Sequence, residues 1–184
     1  MFQNNLLMGA ASISAAGGFT IDYSCRFNQP DSPYLSRTIS GTPTDASKGV
    51  IGGWFKRSNL EAAAVMWDCV GQAYEIGTGV SPTRRYEISG VDNGVTLFAS
   101  TQLFRDPSAW FQVVVSYDSD ESAAIDRSDI YINGIKITSF SYEAWTQTSL
   151  GEAWGLTTDT INTVIGTAEH DTTITWDGYM AQQF

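Results

Sequence analysis

The feature that most constrains the fold of this chain is a hairpin sequence, DIYINGIKIT. Its Asn-Gly pair at 133–134 forms a two-residue turn that needs positive φ at both positions, which Asn and Gly tolerate best. The turn sets the register, so Ile132 faces Ile135 across the hairpin. Ile130 and Ile137 form the next pair on the same face. A shift of one residue would expose all four isoleucines to water, so the sequence predicts one register with a buried isoleucine face.

The stretch before this hairpin extends the same sheet. Its apolar and polar side chains alternate with the period of two that marks a half-buried strand. The predicted buried face consists of Phe111, Val113, Val115 and Tyr117. An acidic loop at 118–128 then leads into the hairpin. Residues 110–138 therefore predict three antiparallel strands, which serve chiefly as scaffold and core.

The charge of the chain excludes two classes of partner. The 184 residues include 20 acidic and 10 basic side chains, which gives a formal charge of −10. Nucleic acid and anionic membranes both attract Lys and Arg, so neither is expected as a partner. No apolar run approaches the length of a transmembrane segment. The length of the chain suits one domain with a sizeable core.

The spacing of the strand patterns predicts the architecture. About ten to twelve short stretches recur at intervals of roughly 8–12 residues, with turn residues between them. A second Asn-Gly pair at 93–94 indicates another hairpin, and one helical turn is expected at 59–64. This pattern favours an all-β fold, a two-sheet antiparallel β-sandwich of the jelly-roll kind.

Two cysteines, Cys25 and Cys69, are too few for a disulfide framework. Each lies in an alternating pattern, so both are expected to be small buried apolar residues. A single bridge between them stays open, because pairing depends on how closely their Cα atoms approach.

Both ends of the chain have unusual apolar character. Residues 1–18 predict an extended arm without Lys or Arg that ends in a flexible Ala/Ser/Gly joint, and residues 19–184 predict the sandwich. The large apolar side chains of the arm would be costly to leave in water, so the arm is expected to dock on a partner. These side chains are Phe2, Leu6, Leu7 and Met8. The last strand pattern stops at Phe184 without a turn, so a continuation of the chain is expected there.

The order of several motifs resembles a known superfold. The motifs FN…YLSRT, GGWFKR, LFRDPSAWFQVVVSYDS, IYINGIKIT, VIGT and WDGYMA follow one another along residues 23–184. This order is similar to the concanavalin A-like lectin/glucanase superfold in its laminin-G-like form, as found in phage tail fibres and other virion structural proteins. The resemblance implies a jelly roll of about a dozen strands. It names no ligand, because function resides in sites grafted onto the fold.

Glycoside hydrolase activity is not expected, although the superfold includes such enzymes. Hydrolysis needs two carboxylates that flank the scissile bond. The enzymes of this superfold carry them on one strand, as Glu-x-Asp-x-x-Glu or Glu-x-Asp-x-Glu, and neither motif occurs in the sequence. The only histidine, His170, lies between two acidic residues and is expected at the surface rather than in a triad.

Calcium is the cofactor that the acidic loop suggests. Ca²⁺ takes six to eight oxygen ligands, so several carboxylates have to converge on it. The candidate ligands are Asp118, Asp120 and Asp126, which lie between or beside two predicted strands. A solvated acidic loop is the alternative explanation for the same residues.

Carbohydrate binding would use exposed aromatic rings beside polar side chains that bond sugar hydroxyls. The best candidates are Tyr142, Trp145 and Trp154, which lie in or beside a long polar connection. Packing beneath that loop is the alternative explanation for these rings. The tryptophans on predicted strands are expected in the core, and they are Trp54, Trp67, Trp110 and Trp176.

The residues and the resemblance together predict a non-enzymatic virion structural module. Its arm would anchor it to a tail fibre or similar appendage on the particle surface, among other virion proteins. A symmetric homo-oligomer, with a trimer favoured, suits such an appendage. A host-surface glycan is the further ligand expected. The alternatives are a capsid decoration or head-fibre protein and a free carbohydrate-binding lectin, and the sequence does not separate them.

Overall fold

A computed structural model of the chain describes residues 23–38, 40–41, 43–69, 72–76, 87–92, 95–144, 150–153, 162–168 and 174–184. The predicted arm at 1–18 lies outside these ranges, as do Trp145, Trp154 and His170. Within them, the helical elements are short 3-10 turns at Gln29–Asp31 and Ala124–Asp126. No helix in this part of the chain is long and apolar enough to cross a membrane.

The described part of the fold consists of short strands in two sheets. The strands are β1 (Cys25–Phe27), β2 (Leu35–Thr38), β3 (Lys48–Arg57), β4 (Ala64–Cys69), β5 (Gln72–Ile76), β6 (Ile88–Asp92), β7 (Val95–Ser100), β8 (Phe111–Asp118), β9 (Ser128–Ile132), β10 (Ile135–Lys136), β11 (Phe140–Glu143), β12 (Asn162–Ile165) and β13 (Gly178–Ala181). One sheet has the order β1-β13-β3-β8-β9-β10, and the other has the order β11-β7-β6-β5-β4-β12-β2. The paired strands run antiparallel, which confirms the predicted two-sheet antiparallel sandwich.

The predicted three-stranded unit is confirmed as β8, β9 and β10. Side chains along β8 alternate between buried and partly buried, as the period of two requires. Asn133 and Gly134 have φ values of 50° and 79°, which the two-residue turn demands. The Gln112 backbone N–H donates to the Asn133 side-chain oxygen at 2.8 Å, and the Asn133 N–H donates to the Gln112 carbonyl at 3.1 Å. These two bonds tie the turn to the start of β8.

One part of the hairpin prediction is wrong. Ile132 is buried and pairs with Ile135 as expected, but Ile135 itself is 74% exposed. β10 has only two residues and is the outermost strand of its sheet. Ile137, directly after β10, is partly buried against the core, so the predicted isoleucine face is exposed at Ile135.

Other local predictions need correction as well. Residues 59–64 form bends rather than a helical turn, and β4 already begins at Ala64. The strand β11 was not predicted, although it extends the seven-stranded sheet beyond β7. Cys69 is buried as expected, but Cys25 is exposed because β1 is an edge strand. No disulfide joins Cys25 and Cys69.

The core lies between the two sheets and centres on aromatic rings. The Phe55 ring of β3 meets the Trp67 ring of β4 edge-on, with centroids 4.9 Å apart and planes at 88°. Trp176 packs against the same phenylalanine at 5.3 Å. All three side chains are fully buried, so these contacts join the sheets through a large apolar area.

The last residues of the chain extend the pairing of β13 along β3. Gly52 and Phe184 exchange two backbone hydrogen bonds of 2.9 Å. One extra residue on the β13 side is absorbed by a bulge, and Gln182 has the positive φ of 48° expected there. Gln183 points into the core, where its Oε1 accepts from the Trp67 indole N–H at 2.9 Å.

Candidate functional site

The outward face of the six-stranded sheet contains a group of aromatic side chains, which we call the aromatic strip. These rings belong to strands or strand ends that are distant in sequence but adjacent in the sheet. Its members are Trp54, Trp110, Tyr131, Tyr179 and Phe184. The first four are partly buried, and Phe184 is 63% exposed.

One end of the strip is a row of alternating aromatic and cationic side chains. Strand pairing places Arg26 opposite Tyr179, and Tyr179 opposite Lys56. Phe55 pairs with Phe111, so Trp110 is level with Lys56 on the next strand. The Trp110 and Tyr179 rings have centroids 6.4 Å apart and are tilted by 56°. The register of four strands therefore assembles this row from residues that are up to about 150 positions apart.

Both cations of the row lie close to the Tyr179 ring. The Arg26 guanidinium carbon is 5.1 Å from the ring centroid, and the Lys56 Nζ is 5.9 Å from it. These distances are within the range of cation–π attraction. Arg26 also donates to the Asp177 carboxylate at 3.1 Å and to the Ser58 hydroxyl at 2.9 Å. The guanidinium is thereby held in one orientation beside the tyrosine.

An acidic turn supplies a carboxylate next to the same row. Asp106 accepts from the Ser108 hydroxyl at 2.6 Å and from the Ser108 backbone N–H at 2.8 Å. These bonds, the hydroxyl first, hold the pKa of Asp106 below its ordinary value of 3.8, and the charge of Lys56 contributes in the same direction. Asp106 is therefore an ionised acceptor at neutral pH, three residues before Ala109 and four before Trp110, which leads into β8.

The other end of the strip depends on a glycine. A side chain at Gly52 would collide with the Phe184 ring, so the glycine makes room for that ring against β3. Val114 on β8 pairs with Gly52 on one side and with Tyr131 of β9 on the other. Tyr131 therefore lies at the same level of the outward face as Gly52. Lys56 and Gly52 are four residues apart on β3, so the strip is about 13 Å long at roughly 3.3 Å per residue.

This arrangement combines flat apolar surfaces with fixed polar groups. Aromatic rings offer a large rigid contact area at little cost in side-chain entropy. Around them lie a guanidinium, an ammonium and two carboxylates, contributed by Arg26, Lys56, Asp106 and Asp177. Such a surface can take a ligand that presents one apolar face and several hydroxyl groups.

Two of the three carboxylates predicted to bind calcium form ion pairs with a lysine, and the calcium site itself stays a prediction. Lys48 Nζ lies 2.9 Å from Asp118 Oδ2 and 3.4 Å from Asp120 Oδ2, so an ammonium group occupies the position between them. The hydrogen bond that Lys48 donates to Asp118 raises the pKa of Lys48. Asp126 is exposed on the second 3-10 turn. Among the described residues, no three acidic, histidine or cysteine side chains are grouped to hold a metal ion.

Of the residues predicted to bind carbohydrate, the structure describes Tyr142. Tyr142 is 37% exposed on β11, the edge strand of the seven-stranded sheet, and is not part of the aromatic strip. Trp145 and Trp154 lie outside the described residues, so the predicted group of three stays a prediction.

Sequence reasoning missed most of the strip. Trp67 is buried, which confirms its predicted core position, but Trp54 and Trp110 face outward and are only partly buried. The signal was present: each of these two tryptophans directly precedes a buried phenylalanine on its strand, so alternation places it on the opposite face. Trp176 is buried as predicted, although it lies just before β13 rather than on a strand.

Comparisons with known proteins identify the fold. The sequence matches no protein-family model, and no curated protein sequence matches it significantly. Domains LG4-5 of the mouse laminin alpha1 chain superpose with a TM-score of 0.56 at 8% identity, covering 90% of this chain and 42% of that chain. The native heptameric SAP-like pentraxin from Limulus polyphemus gives a TM-score of 0.52 at 10% identity, covering 82% and 68%.

A third comparison is weaker. The CBM40 domain of the Ruminococcus gnavus IT-sialidase, solved with alpha2,3 sialyllactose, gives a TM-score of 0.48 at 13% identity, covering 82% of this chain and 90% of that chain. That similarity is too low to support an argument. The chain thus has the concanavalin A-like jelly-roll fold of laminin G domains and pentraxins, which confirms the superfold that its motifs resemble. At these identities the likeness extends to the fold alone.

Proposed function

We propose that the chain is a non-catalytic carbohydrate-binding β-sandwich that binds a short oligosaccharide along the aromatic strip. The observation on which this proposal rests is the row of Arg26, Tyr179, Lys56 and Trp110, in which aromatic rings and cations share one level of the outward face. Sugar rings have an apolar face that stacks on aromatic side chains and hydroxyls that bond charged groups. The fold that the chain shares with laminin G domains accommodates sites of many kinds, so the row rather than the fold supports the assignment.

The proposal of a non-catalytic role rests on the carboxylates beside the row. A glycosidase needs one carboxyl group with a raised pKa that can act as an acid. Hydrogen bonds from Ser108 lower the pKa of Asp106 instead. Asp177 is engaged with Arg26 at 3.1 Å. Asp106 is therefore suited to accept hydrogen bonds from hydroxyls rather than to transfer protons.

The test is a glycan array, followed by titration of the best-binding glycan into three proteins. Trp110→Ala removes an aromatic plane that is partly exposed, and we expect at least a tenfold loss of affinity, which corresponds to about 1.4 kcal/mol. Tyr142→Ala is the matched control, because it removes an exposed aromatic ring from the other sheet and should leave affinity unchanged. Circular dichroism verifies that both variants are folded.

Two outcomes contradict the assignment. If affinity falls in the Tyr142 variant and not in the Trp110 variant, the ligand binds at the edge of the seven-stranded sheet. If no glycan on the array binds the intact chain, the carbohydrate-binding function is wrong.

The same proposal includes a location: the protein is a structural part of a virion. The resemblance of the motifs to virion structural proteins supports a tail-fibre or appendage module, anchored by residues 1–18 and assembled as a homo-oligomer, with a trimer favoured. A capsid decoration protein would use the same arm. The test is to delete residues 1–18 and to purify the particles. We expect the shortened chain to be missing from them. Normal incorporation of the shortened chain would contradict the anchoring role.

A further inference from the structure

A shallow apolar groove opens where the edges of the two sheets meet. It has a volume of about 250 Å³ and lies between β1 with the end of β13 on one side and β2 with β12 on the other. Most of its wall is apolar. The side chains that matter here are Tyr23, Cys25, Phe27, Leu35, Ile165 and Met180.

The groove leaves large apolar side chains exposed. Tyr23 is 89% exposed and Leu35 is 50% exposed, although both line the groove. β1 and β2 are short edge strands, so no further strand of the described fold covers this opening. Apolar area of this kind gains about 25 cal/mol for each Å² removed from water, which favours a covering segment.

The preceding segment of the chain enters the described fold at this groove. Residues 1–22 end directly before Tyr23, which is itself part of the wall. Their apolar side chains are concentrated in FQNNLLM at 2–8, and small Ala, Ser and Gly residues fill most of 9–18. A joint of that composition has an r.m.s. length of roughly 5–6 Å × √n, or about 20 Å for fifteen residues. Residues 2–8 can therefore return to the groove beside their own point of entry.

We propose that the apolar segment at 2–8 docks in the groove of its own chain. Phe2, Leu6, Leu7 and Met8 supply the apolar surface that the groove lacks, and the segment has no charged side chain that would have to be desolvated. A short tether raises the effective concentration of the segment to the millimolar range, which favours the groove of the same chain over that of a second copy. The contact keeps the apolar side chains of the arm out of water until a partner captures them.

The thiol of Cys25 reports directly on this contact. Cys25 is free, exposed and part of the groove wall, whereas Cys69 is completely buried. An aromatic disulfide reagent added to the folded protein therefore reacts first at Cys25. The Cys25→Ser variant identifies the fast phase, because that phase disappears from it.

The experiment compares the intact chain with a variant in which the four apolar residues at 2–8 are changed to Ser. This variant keeps the length of the chain and leaves the sandwich unaltered. We expect the Cys25 thiol to react at least tenfold more slowly in the intact chain, with a ratio that does not depend on protein concentration. Equal rates in the two proteins would overturn the proposal. Protection that grows with protein concentration would also overturn it, because a second copy would then supply the segment.

One variant in the groove wall and one control variant outside it separate docking from a general loosening of the fold. Leu35→Glu places a charge in the groove, and we expect it to raise the Cys25 rate to that of the Ser variant. Ile135→Glu changes another exposed apolar residue, on the distant edge strand β10, and should leave the rate unchanged. If both or neither of these variants accelerate the reaction, the groove is not where the segment docks.

Discussion

The tight pairing of β13 with β3 leaves no room for a side chain at Gly178. Its φ of 147° lies in a region that L side chains rarely adopt. A Cβ atom added there would collide with the backbone carbonyl oxygen of Lys56 and lie only 3.0 Å from the Cα atom of Arg57. Backbone atoms of a paired strand cannot move aside as a flexible side chain can. We therefore expect Gly178→Ala to be strongly destabilising.

The cost can be worked out from two contributions. Strained backbone of this kind costs about 1–3 kcal/mol, and forcing extra atoms into a packed site costs about 1–3 kcal/mol more. A central value of about 4 kcal/mol lowers the melting temperature by roughly 12 °C, because 1 kcal/mol corresponds to about 3 °C in a domain of this size. Thermal unfolding followed by tryptophan fluorescence measures the change.

Gly134 provides the matched control for this prediction. It also has a positive φ, 79°, but nothing lies within 4 Å of an added Cβ atom. Gly134→Ala should therefore cost only the conformational part, about 1–2 kcal/mol. Equal losses of stability in the two variants would refute the steric argument, because only the backbone conformation would then matter. In the Gly178 variant the glycan affinity should fall as well, since Tyr179 follows directly and depends on the same pairing.

Three smaller predictions concern other parts of the fold. Gln183→Ala removes the acceptor 2.9 Å from the buried Trp67 indole and should lower the free energy of unfolding by about 1–2 kcal/mol in urea. Ile135→Ala should change stability by less than about 0.5 kcal/mol in the same assay, because the side chain is exposed. The pKa of Asp106 is lowered from 3.8, so its bonds to Ser108 contribute fully above that pH and are lost as the pH falls through the lower folded value. In an NMR titration, the midpoint of the change in the Ser108 amide shift should accordingly lie below pH 3.8.

Each of these predictions has a clear contrary result. An unchanged urea midpoint for the Gln183 variant would mean that its core hydrogen bond contributes nothing. A large loss of stability in the Ile135 variant would mean that this side chain is buried, as the hairpin pattern predicts. A Ser108 amide that titrates at or above the ordinary carboxyl pKa would mean that the turn at Asp106 is not formed in solution.

Local patterns were sufficient for the hairpin and for the class of fold. Alternation along β8 and the Asn-Gly turn depend on neighbours in the sequence, so their geometry could be predicted. The exposure of Ile135 depends instead on how far the opposing sheet extends, which no local pattern contains. Burial is a property of the assembled sandwich, and an edge strand has the same sequence period as a central one.

The aromatic strip could not be predicted for a related reason. Alternation indicates that Trp110 and Tyr179 face outward, but not that they are neighbours. Their proximity arises because β13 pairs with β3 and β3 pairs with β8, which are contacts between distant segments. The ion pair at the predicted calcium ligands depends on the same kind of contact, because Lys48 comes from a strand remote in sequence and reaches Asp118 only through the pairing of β3 with β8.

The pairing of β1 with β13 has a practical consequence for engineering this sandwich. Cys25 at the start of β1 lies opposite Met180 near the end of β13, so the start of the first described strand and the end of the last one lie side by side. A short linker could join them, and new ends could be opened at the exposed Asn133-Gly134 turn. For the same reason, the domain could be inserted into a surface loop of an unrelated host protein without moving the two ends of that loop far apart.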